Sequence, residues 1–486
     1  MYKPTLTMDG IQPNVLRSEY AVRGAVPQRA MDIEEELKQG VKYPFSKIIY
    51  CNIGNPHILG QQPISFFREV LSLLVNPALI NHPEIQKIYA PDVIQRARYM
   101  LQETPGGIGA YSHSQGLPFV RKDIAAFIEK RDGFPCSYHT IFLSQGASPG
   151  IQTFLQFLIR STKDGIMIPY PQYPLYTGTI ALYGGTFVSY SLDESKGWLL
   201  TKELLQKSLS EAKSNNIEVR ALVIINPGNP TGSSLPESCV LEVLDFAYEN
   251  SIALLVDEVY QTNIYKKQSK PFVSFRKTMI SNGDRYKGLE LISFHSVSKG
   301  FVGECGLRGG YFQMENIDSK IRSELYKLAS LSLCPNVMGQ MVVDLMVKPP
   351  EEGSASYLKY KQEEDGLIAS LGRRAKLLSE ELNKLPNCSC VEVEGALYAF
   401  PKIDIPKSAV EEAKRRGIKP DTMYAMSLLE NEGICVVPGS GFGQEEGTYH
   451  IRTTILPQES DFAEVCERFK RHHLKFIETD WSQTVK

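Results

Sequence analysis

The sequence lacks several features that mark common classes of protein. None of its apolar runs approaches the ~20 residues that a membrane-spanning helix needs. Its 53 Lys and Arg against 55 Asp and Glu leave a net charge of −2, so a basic surface for nucleic acid or an anionic membrane is not favoured. Internal repeats and low-complexity segments are also missing. We therefore expect a globular protein with neither nucleic-acid nor membrane partners.

Cysteine is sparse and irregularly spaced. The nine cysteines are an odd number, which argues against a closed set of disulfides. Cys388 and Cys390 have no further Cys or His at the spacing of a zinc site, so we expect no metal. The N-terminal stretch lacks the apolar core of a signal peptide, and its acidic residues disfavour a transit peptide. The predicted compartment is the cytoplasm, and the mitochondrion is the less favoured alternative.

What the chain does have is length and an α/β pattern. Its 486 residues, 42% of them hydrophobic, are typical of a globular protein of two or three domains. From about residue 140 short apolar strands alternate with helices, which predicts a mostly parallel sheet covered on both faces. We predict an N-terminal arm (1–50), a large domain with the sheet (51–350) and a small C-terminal domain (351–486). The first part of the large domain is a candidate to pack with the small one.

Polar clusters follow the predicted strands of the large domain. In open α/β sheets ligands bind beyond the carboxyl ends of the strands, so these clusters are expected to meet at one site. The clusters are residues 144–148, Pro169–Pro174, Asn226–Gly232, Asp257–Tyr260 and the stretch that holds Lys299.

Lys299 is the central residue of this predicted site. It follows a buried strand, where partial desolvation lowers the pKa of an amine and frees it to form a Schiff base. Ser296, Ser298 and Arg308 offer hydroxyl and bidentate guanidinium donors to a phosphate. A strand-end lysine beside a phosphate cradle is what pyridoxal 5′-phosphate requires. The alternative is a surface lysine in a polar loop.

The other requirements of that cofactor also have candidates. Asp257 ends a buried strand and can keep the pyridine nitrogen protonated, unless it only caps the next turn. Asn229 and Tyr260 are donors for the phenolic oxygen, although Asn229 alone would suit a turn. Tyr173 can stack on the ring, or only pack. The backbone N–H groups of Ala147 and Ser148, at a helix N-terminus, can bind the phosphate. Several weak signals thus agree on one cofactor.

Longer motifs carry a family resemblance. Asn226-Pro-Gly-Asn-Pro-Thr-Gly232, Asp257-Glu-Val-Tyr260 and Ser296-Val-Ser-Lys-Gly300 with Arg308 resemble the fold-type I aminotransferases, which use pyridoxal phosphate. The phrases that resemble alanine aminotransferases are Asn52-Ile-Gly-Asn-Pro-His57, Gly109-Ala-Tyr-Ser112, Pro171-Gln-Tyr-Pro-Leu-Tyr176, Gly303-Glu-Cys-Gly306 and Val437-Pro-Gly-Ser-Gly-Phe-Gly-Gln-Glu-Glu-Gly447. Gly228, where Asn is more usual, and a Lys299 to Arg308 spacing one residue longer than common look like features of that subgroup.

The resemblance implies further roles. It implies a fold-type I large domain with a smaller α/β domain, and it matches Arg452 to the arginine that binds the substrate α-carboxylate, where the residue alone would suggest a surface arginine. Asn229 and Gly54 would also lie against the substrate. Tyr111 matches a tyrosine that reaches the cofactor phosphate of the neighbouring subunit, which implies a homodimer.

The implied reaction converts L-alanine and 2-oxoglutarate to pyruvate and L-glutamate. It is expected to be ping-pong through a pyridoxamine phosphate form, with Lys299 moving the proton. The alternatives are a glutamate:glyoxylate aminotransferase, a decarboxylase or lyase on the same fold, and a binding module without catalysis, for which no appended interaction domain is evident.

Overall fold

A computed structural model of the protein describes residues 4–20 and 24–483. The α-helices of this part are α1 (Pro13–Arg17), α2 (Ala25–Lys38), α3 (Ser65–Val75), α4 (Ile85–Ile88), α5 (Pro91–Glu103), α6 (Pro118–Asp132), α7 (Ala147–Leu158), α8 (Leu175–Leu182), α9 (Lys202–Ser214), α10 (Glu237–Asn250), α11 (Phe275–Ser281), α12 (Ser319–Ser330), α13 (Val337–Val347), α14 (Tyr357–Asn383), α15 (Lys407–Arg415), α16 (Pro420–Glu432) and α17 (Glu459–Glu478). The strands are β1 (Ile49–Tyr50), β2 (Ile141–Ser144), β3 (Asp164–Tyr170), β4 (Thr186–Ser191), β5 (Glu218–Ile225), β6 (Ala253–Asp257), β7 (Leu291–Ser296), β8 (Gly310–Glu315), β9 (Cys388–Ser389), β10 (Tyr398–Ala399), β11 (Lys402–Ile403), β12 (Ile434–Cys435), β13 (Val437–Pro438) and β14 (Ile451–Thr454).

The centre of the fold is a seven-stranded sheet in the order β2-β8-β7-β6-β5-β3-β4. Strand β8 is antiparallel to both of its neighbours, and every other pair is parallel. The predicted α/β architecture with a mostly parallel sheet is therefore confirmed. Registers pair Ile225 with Asp257 and Asp257 with Phe294, so β5, β6 and β7 end at nearly the same level.

Helices cover both faces of this sheet, because alternate residues of each strand point to opposite sides. On one face Leu222 and Leu254 join a core with residues of α9, α10 and α11. On the other face the next residues along, Val223 and Leu255, join a core with residues of α7, α8 and α12. Burial on both faces explains the continuous apolar runs of β6 and β7.

The C-terminal unit has its own core, and an N-terminal segment belongs to it. Strand β1 pairs in parallel with β12. Val26 and Ile33 of α2 and Phe45 lie in the same buried cluster as Leu371 of α14 and Leu428 of α16. This pairing brings the chain that follows β1 close to β14, where the Thr454 N–H donates to Cys51 O at 3.0 Å.

One long helix begins earlier than its sequence pattern indicates. The pattern predicts a helix over 366–385, whereas α14 begins at Tyr357. The extra turns hold Tyr360, which is buried and stacks on Phe67 of α3 with ring centroids 6.3 Å apart. Charged residues flank Tyr360 in the sequence, so the hydrophobic periodicity does not reveal that one face of these turns is buried. Among the helices of the described residues, none combines the length and apolar character that crossing a bilayer would take.

Candidate active site

A cavity of about 260 Å³ opens at the carboxyl ends of the central strands, between the sheet and the C-terminal unit. Nearly all the site residues predicted from the sequence line it together. They are Gly54, Ala147, Ser148, Tyr173, Asn229, Asp257, Tyr260, Ser296, Ser298, Lys299, Arg308 and Arg452. Tyr111 is the exception, since it lies outside this cavity and its side chain is 79% exposed.

Lys299 follows β7 and points across the cavity towards the N-terminal segment. Its Nζ donates a hydrogen bond to Gly54 O at 2.9 Å. The loop behind it is fixed where the Gly300 N–H donates to Asn263 Oδ1 at 2.8 Å. A Cβ added to Gly54 would lie 3.0 Å from Nζ and would overlap Tyr398 Oη. The amine therefore stands at the narrow point between the sheet edge and the segment around Gly54.

Asp257, the last residue of β6, is a buried carboxylate with neutral donors. Tyr176 Oη donates to its Oδ2 at 3.2 Å, and the Val259 N–H donates to its Oδ1 at 3.4 Å. Burial raises the pKa of Asp257 to about 6, although both donors and the charge of Lys299 act against this rise. Within the described part of the chain Asp257 forms no salt bridge. A protonated pyridine nitrogen fits this carboxylate because it would supply the missing positive charge.

An anion cradle lies on the other side of Lys299. Arg308 Nη1 donates to Ser298 Oγ at 3.3 Å, and its Nη2 donates to Gln145 O at 3.0 Å. The guanidinium lies against Gly146, whose φ is +90° and where any side chain would collide with it. Helix α7 begins at Ala147, so its first N–H groups have no helical partners and face an anion favourably. This set of donors fits a phosphate group.

Arg452, on β14, is only 1% exposed and lines the same cavity. Its Nη1 donates to Asn229 Oδ1 at 3.1 Å, and its Nη2 donates to Asn52 O. The guanidinium carbon lies 4.3 Å from the ring centre of Tyr398 and 4.5 Å from that of Phe442. Its Nε is buried without a hydrogen-bond partner. Such an arginine, held flat between two rings with a spare donor, suits a carboxylate ligand.

Two phenols meet between the amine and this arginine. Tyr260 Oη donates to Tyr398 Oη at 3.5 Å. Burial raises the pKa of Tyr260 well above its usual value. For Tyr398 burial also acts to raise the pKa, but the positive charges of Lys299 and Arg452 outweigh it, and the pKa is lowered. Tyr398 is thus the more easily ionised phenol of the pair.

The sequence patterns missed three residues of this site. The Gly-rich stretch 439–443 predicts a tight surface loop, and this prediction is wrong at Phe442, which is fully buried against Arg452 and Phe400. Tyr398 lies on a two-residue strand, too short for a periodic signal. Tyr176 lies one helical turn after Tyr173, and that spacing was the available signal. Tyr173 itself faces the cavity, where its Oη is 2.8 Å from Tyr20 Oη.

Comparison with known proteins agrees with this geometry. Residues 81–469 match the family model of aminotransferase class I and II, so the chain belongs to that family. Members of the family use pyridoxal 5′-phosphate, and this protein is a pyridoxal phosphate-dependent aminotransferase of fold-type I. Within the family, the chain resembles alanine aminotransferases over nearly its full length.

Three similar proteins illustrate the relationship. A probable mitochondrial alanine aminotransferase of Dictyostelium discoideum is 50% identical over 481 residues, which are 98% of this chain and 90% of that protein. Alanine aminotransferase 2 of Panicum miliaceum is 50% identical over 97% of this chain and 98% of its own. Glutamate–glyoxylate aminotransferase 1 of Arabidopsis thaliana is 47% identical over 97% of this chain and 96% of its own. Among solved structures, alanine aminotransferase from Pyrococcus furiosus superposes with a TM-score of 0.75 at 25% identity, over 96% of this chain and all of that one.

Proposed function

We propose that this enzyme transfers the amino group of L-alanine to 2-oxoglutarate, with pyruvate and L-glutamate as products. The observation that carries the proposal is the meeting of an amine, a buried carboxylate and two arginines in one small cavity. The substrate pair is supported by several relatives, 44–50% identical over nearly the whole chain, that are named alanine aminotransferases.

On the cofactor side, each residue has one task. Bound pyridoxal phosphate supplies an electron sink that makes the Cα–H of the amino acid acidic. Lys299 Nζ holds the cofactor and then carries the proton to and from Cα. Asp257 keeps the pyridine nitrogen protonated. The remaining contacts are to the phenolic oxygen from Asn229 and Tyr260, to the ring from Tyr173, and to the phosphate from Ala147, Ser148, Ser296, Ser298 and Arg308.

On the substrate side, Arg452 binds the α-carboxylate. Its unpartnered Nε and its flat position between two rings support this role. Asn229 holds one end of the guanidinium and lies beside the substrate. At Gly54 the absence of a side chain leaves room next to Lys299 Nζ. The same carboxylate position serves the amino acid and then the 2-oxo acid, so the kinetics are expected to be ping-pong.

The assembly that we propose is a homodimer in which Tyr111 reaches the partner's cofactor phosphate. Its side chain stands free in one chain. His113, two residues further on, contacts Tyr326 of α12 with ring centroids 5.2 Å apart and ring planes inclined by 30°, and Leu331, just after α12, is 80% exposed. An exposed patch with aromatic and aliphatic side chains suits burial against a second copy. Sedimentation analysis of the wild type and of Tyr111→Phe measures the assembly, and a titration of each apoprotein with pyridoxal phosphate measures the cofactor affinity.

Two further assignments also stay proposals. The cytoplasm remains the predicted compartment, although relatives from Dictyostelium and Arabidopsis are named mitochondrial. The domain borders near residues 50 and 350 stay a prediction, and the pairing of β1 with β12 favours grouping residues 25–51 with the C-terminal domain instead of with a separate N-terminal arm.

A second candidate function is glutamate:glyoxylate transamination, which the two Arabidopsis relatives of that name favour. The decisive experiment is a panel of amino donors against keto acceptors, with 2-oxoglutarate and glyoxylate compared at equal concentration. We expect alanine with 2-oxoglutarate to give the highest kcat/KM. A preference for glutamate with glyoxylate would reassign the substrates, and release of CO₂ or ammonia without amino transfer would point to a decarboxylase or lyase.

A further inference from the structure

We propose that Tyr176 is a positioning residue, whose hydroxyl keeps Asp257 ionised and turned towards the pyridine nitrogen of the cofactor. The inference rests on the role proposed above for Asp257. Tyr176 is not among the residues that line the cavity, so we expect it to act through the carboxylate of Asp257, to which it donates a hydrogen bond.

The geometry singles out this hydroxyl. Tyr176 is fully buried, and its Oη donates to Asp257 Oδ2 at 3.2 Å. The other oxygen of the carboxylate receives the longer bond from the Val259 N–H, at 3.4 Å. Across the residues that the structure describes, Tyr176 is the only side chain that donates a hydrogen bond to Asp257. Without its hydroxyl, Oδ2 would be buried and unsatisfied.

The position of Tyr176 depends on that of Tyr173, whose ring is proposed to stack on the cofactor. The Tyr176 N–H donates to Tyr173 O at 3.1 Å, at the start of helix α8. Tyr173, whose ring is proposed to stack on the cofactor, and Tyr176, whose hydroxyl donates to Asp257, are therefore one turn apart and joined by a backbone hydrogen bond. The next turn is anchored from outside, where Ser18 Oγ donates to Gly178 O at 2.8 Å.

The physical consequence follows from burial. A carboxylate out of water is stable only when its oxygens accept hydrogen bonds, and the loss of one donor favours the protonated acid. Burial already raises the pKa of Asp257 to about 6, and the bond from Tyr176 opposes that rise. A neutral Asp257 could not hold a proton on the pyridine nitrogen. The other titratable groups that act on Asp257 are Lys299, Glu258 and Tyr260, which the variant leaves unchanged.

The test compares Tyr176→Phe with Tyr190→Phe as a matched control. Tyr190 is an equally buried tyrosine whose Oη donates to Val223 O at 2.7 Å, and it makes no hydrogen bond to Asp257. Each holoenzyme is loaded with pyridoxal phosphate labelled at the pyridine nitrogen, and the NMR resonance of that nitrogen is followed across the pH range in which the protein stays folded. This readout reports the proton on the nitrogen and does not depend on turnover.

In Tyr176→Phe we expect the proton equilibrium between the pyridine nitrogen and Asp257 to shift about tenfold towards Asp257, because a hydrogen bond to the charged carboxylate has been removed. Near neutral pH a smaller fraction of the nitrogen should then be protonated than in the wild type, whereas Tyr190→Phe should behave like the wild type. Identical protonated fractions in all three proteins would overturn the inference. If Tyr176→Phe does not fold, a fluorinated tyrosine at position 176, which is a stronger donor, should increase the protonated fraction, and no increase would equally overturn it.

A third variant separates this inference from the proposed function. Asp257→Asn should lose the pyridinium signal altogether. If that variant keeps the signal, the proposed role of Asp257 is wrong. If it loses the signal while Tyr176→Phe does not change, only the role of Tyr176 is wrong.

Discussion

On the side of the cavity proposed to bind the cofactor (the cofactor side), Asp257, Ser296 and Lys299 stand at or just beyond the ends of two adjacent strands of one sheet. On the side proposed to bind the substrate (the substrate side), Gly54, Tyr398 and Arg452 come from segments far apart in the chain that meet in the C-terminal unit. The cofactor side is thus a product of strand register, whereas the substrate side depends on how two units pack. Changes on the first side should affect chemistry and cofactor charge, and changes on the second should affect substrate binding.

Among the changes that test this comparison, Lys299→Ala should have the largest effect. Removal of the amine takes away both the proposed cofactor anchor and the group proposed to move the proton, so kcat should fall more than about 1,000-fold. Gly54 O loses its hydrogen bond from Nζ, but the other contacts of the substrate side remain, and the far-UV circular dichroism spectrum should not change. The control is Lys277→Ala, an exposed lysine on α11. Turnover of Lys299→Ala near the wild-type rate would contradict the assignment.

On the cofactor side, the pH dependence of stability should report the titration of Asp257. Because the folded pKa of Asp257 is raised from 3.8 to about 6, its contribution to the stability of the cofactor-free protein is fully present below about pH 3.8 and is lost as the pH rises through about 6. The unfolding free energy of the wild type, relative to Asp257→Asn, should therefore fall by about 3 kcal/mol over that window.

The contributions of the other buried acids cancel in the difference in unfolding free energy between the wild type and Asp257→Asn. The pKa values of Glu258 and Asp344 are also raised, and both groups are present in the two proteins. Denaturant titrations at several pH values give the difference directly. A difference that does not vary with pH would show that Asp257 titrates in the folded protein as it does in the unfolded chain.

On the substrate side, Arg452→Lys should damage binding more than chemistry. Lysine keeps the charge but loses the flat fork that binds a carboxylate through two donors, a loss of about 2 kcal/mol or ~30-fold in kcat/KM. The effect should appear mainly in KM for alanine and for 2-oxoglutarate, and the affinity for the cofactor should be unchanged. Arg373→Lys, on an exposed ion pair with Glu459, is the control. A fall in kcat with unchanged KM would place Arg452 on the chemical side of the comparison.

Gly54→Ala should have the smallest effect. The added methyl would overlap Tyr398 Oη, and that phenol is held by Tyr260 and by the guanidinium of Arg452. Tyr398 or the segment around Gly54 must therefore move, and we expect kcat/KM to fall about 10-fold, in line with the 1–3 kcal/mol cost of overpacking. Gly366→Ala, at an open position of α14, should be silent. Wild-type kinetics in Gly54→Ala would mean that the segment is free to move away.

The same contrast explains what could be predicted from the sequence. Asp257 ends a buried apolar strand and Lys299 follows another. The rule that ligands bind beyond the carboxyl ends of parallel strands is enough to predict that both belong to one site. Arg452 and Gly54 carry no such signal, and only the family resemblance pointed to them. Phe442 was missed because a Gly-rich stretch is typical of an exposed loop, while its ring is buried by Val437 and Phe400, which are neighbours only in the folded chain. The role of Tyr111 stays a prediction because it concerns a second subunit.

The pairing of β1 with β12 has a consequence for synthesis of the protein. Ile49 leaves the ribosome early, but its partner Ile434 emerges near the end of translation. The strands of the central sheet span only residues 141–315 and can assemble while the rest of the polypeptide is still being made. A nascent chain can therefore have an ordered central sheet and still be inactive, and turnover can begin only once β1 has paired with β12.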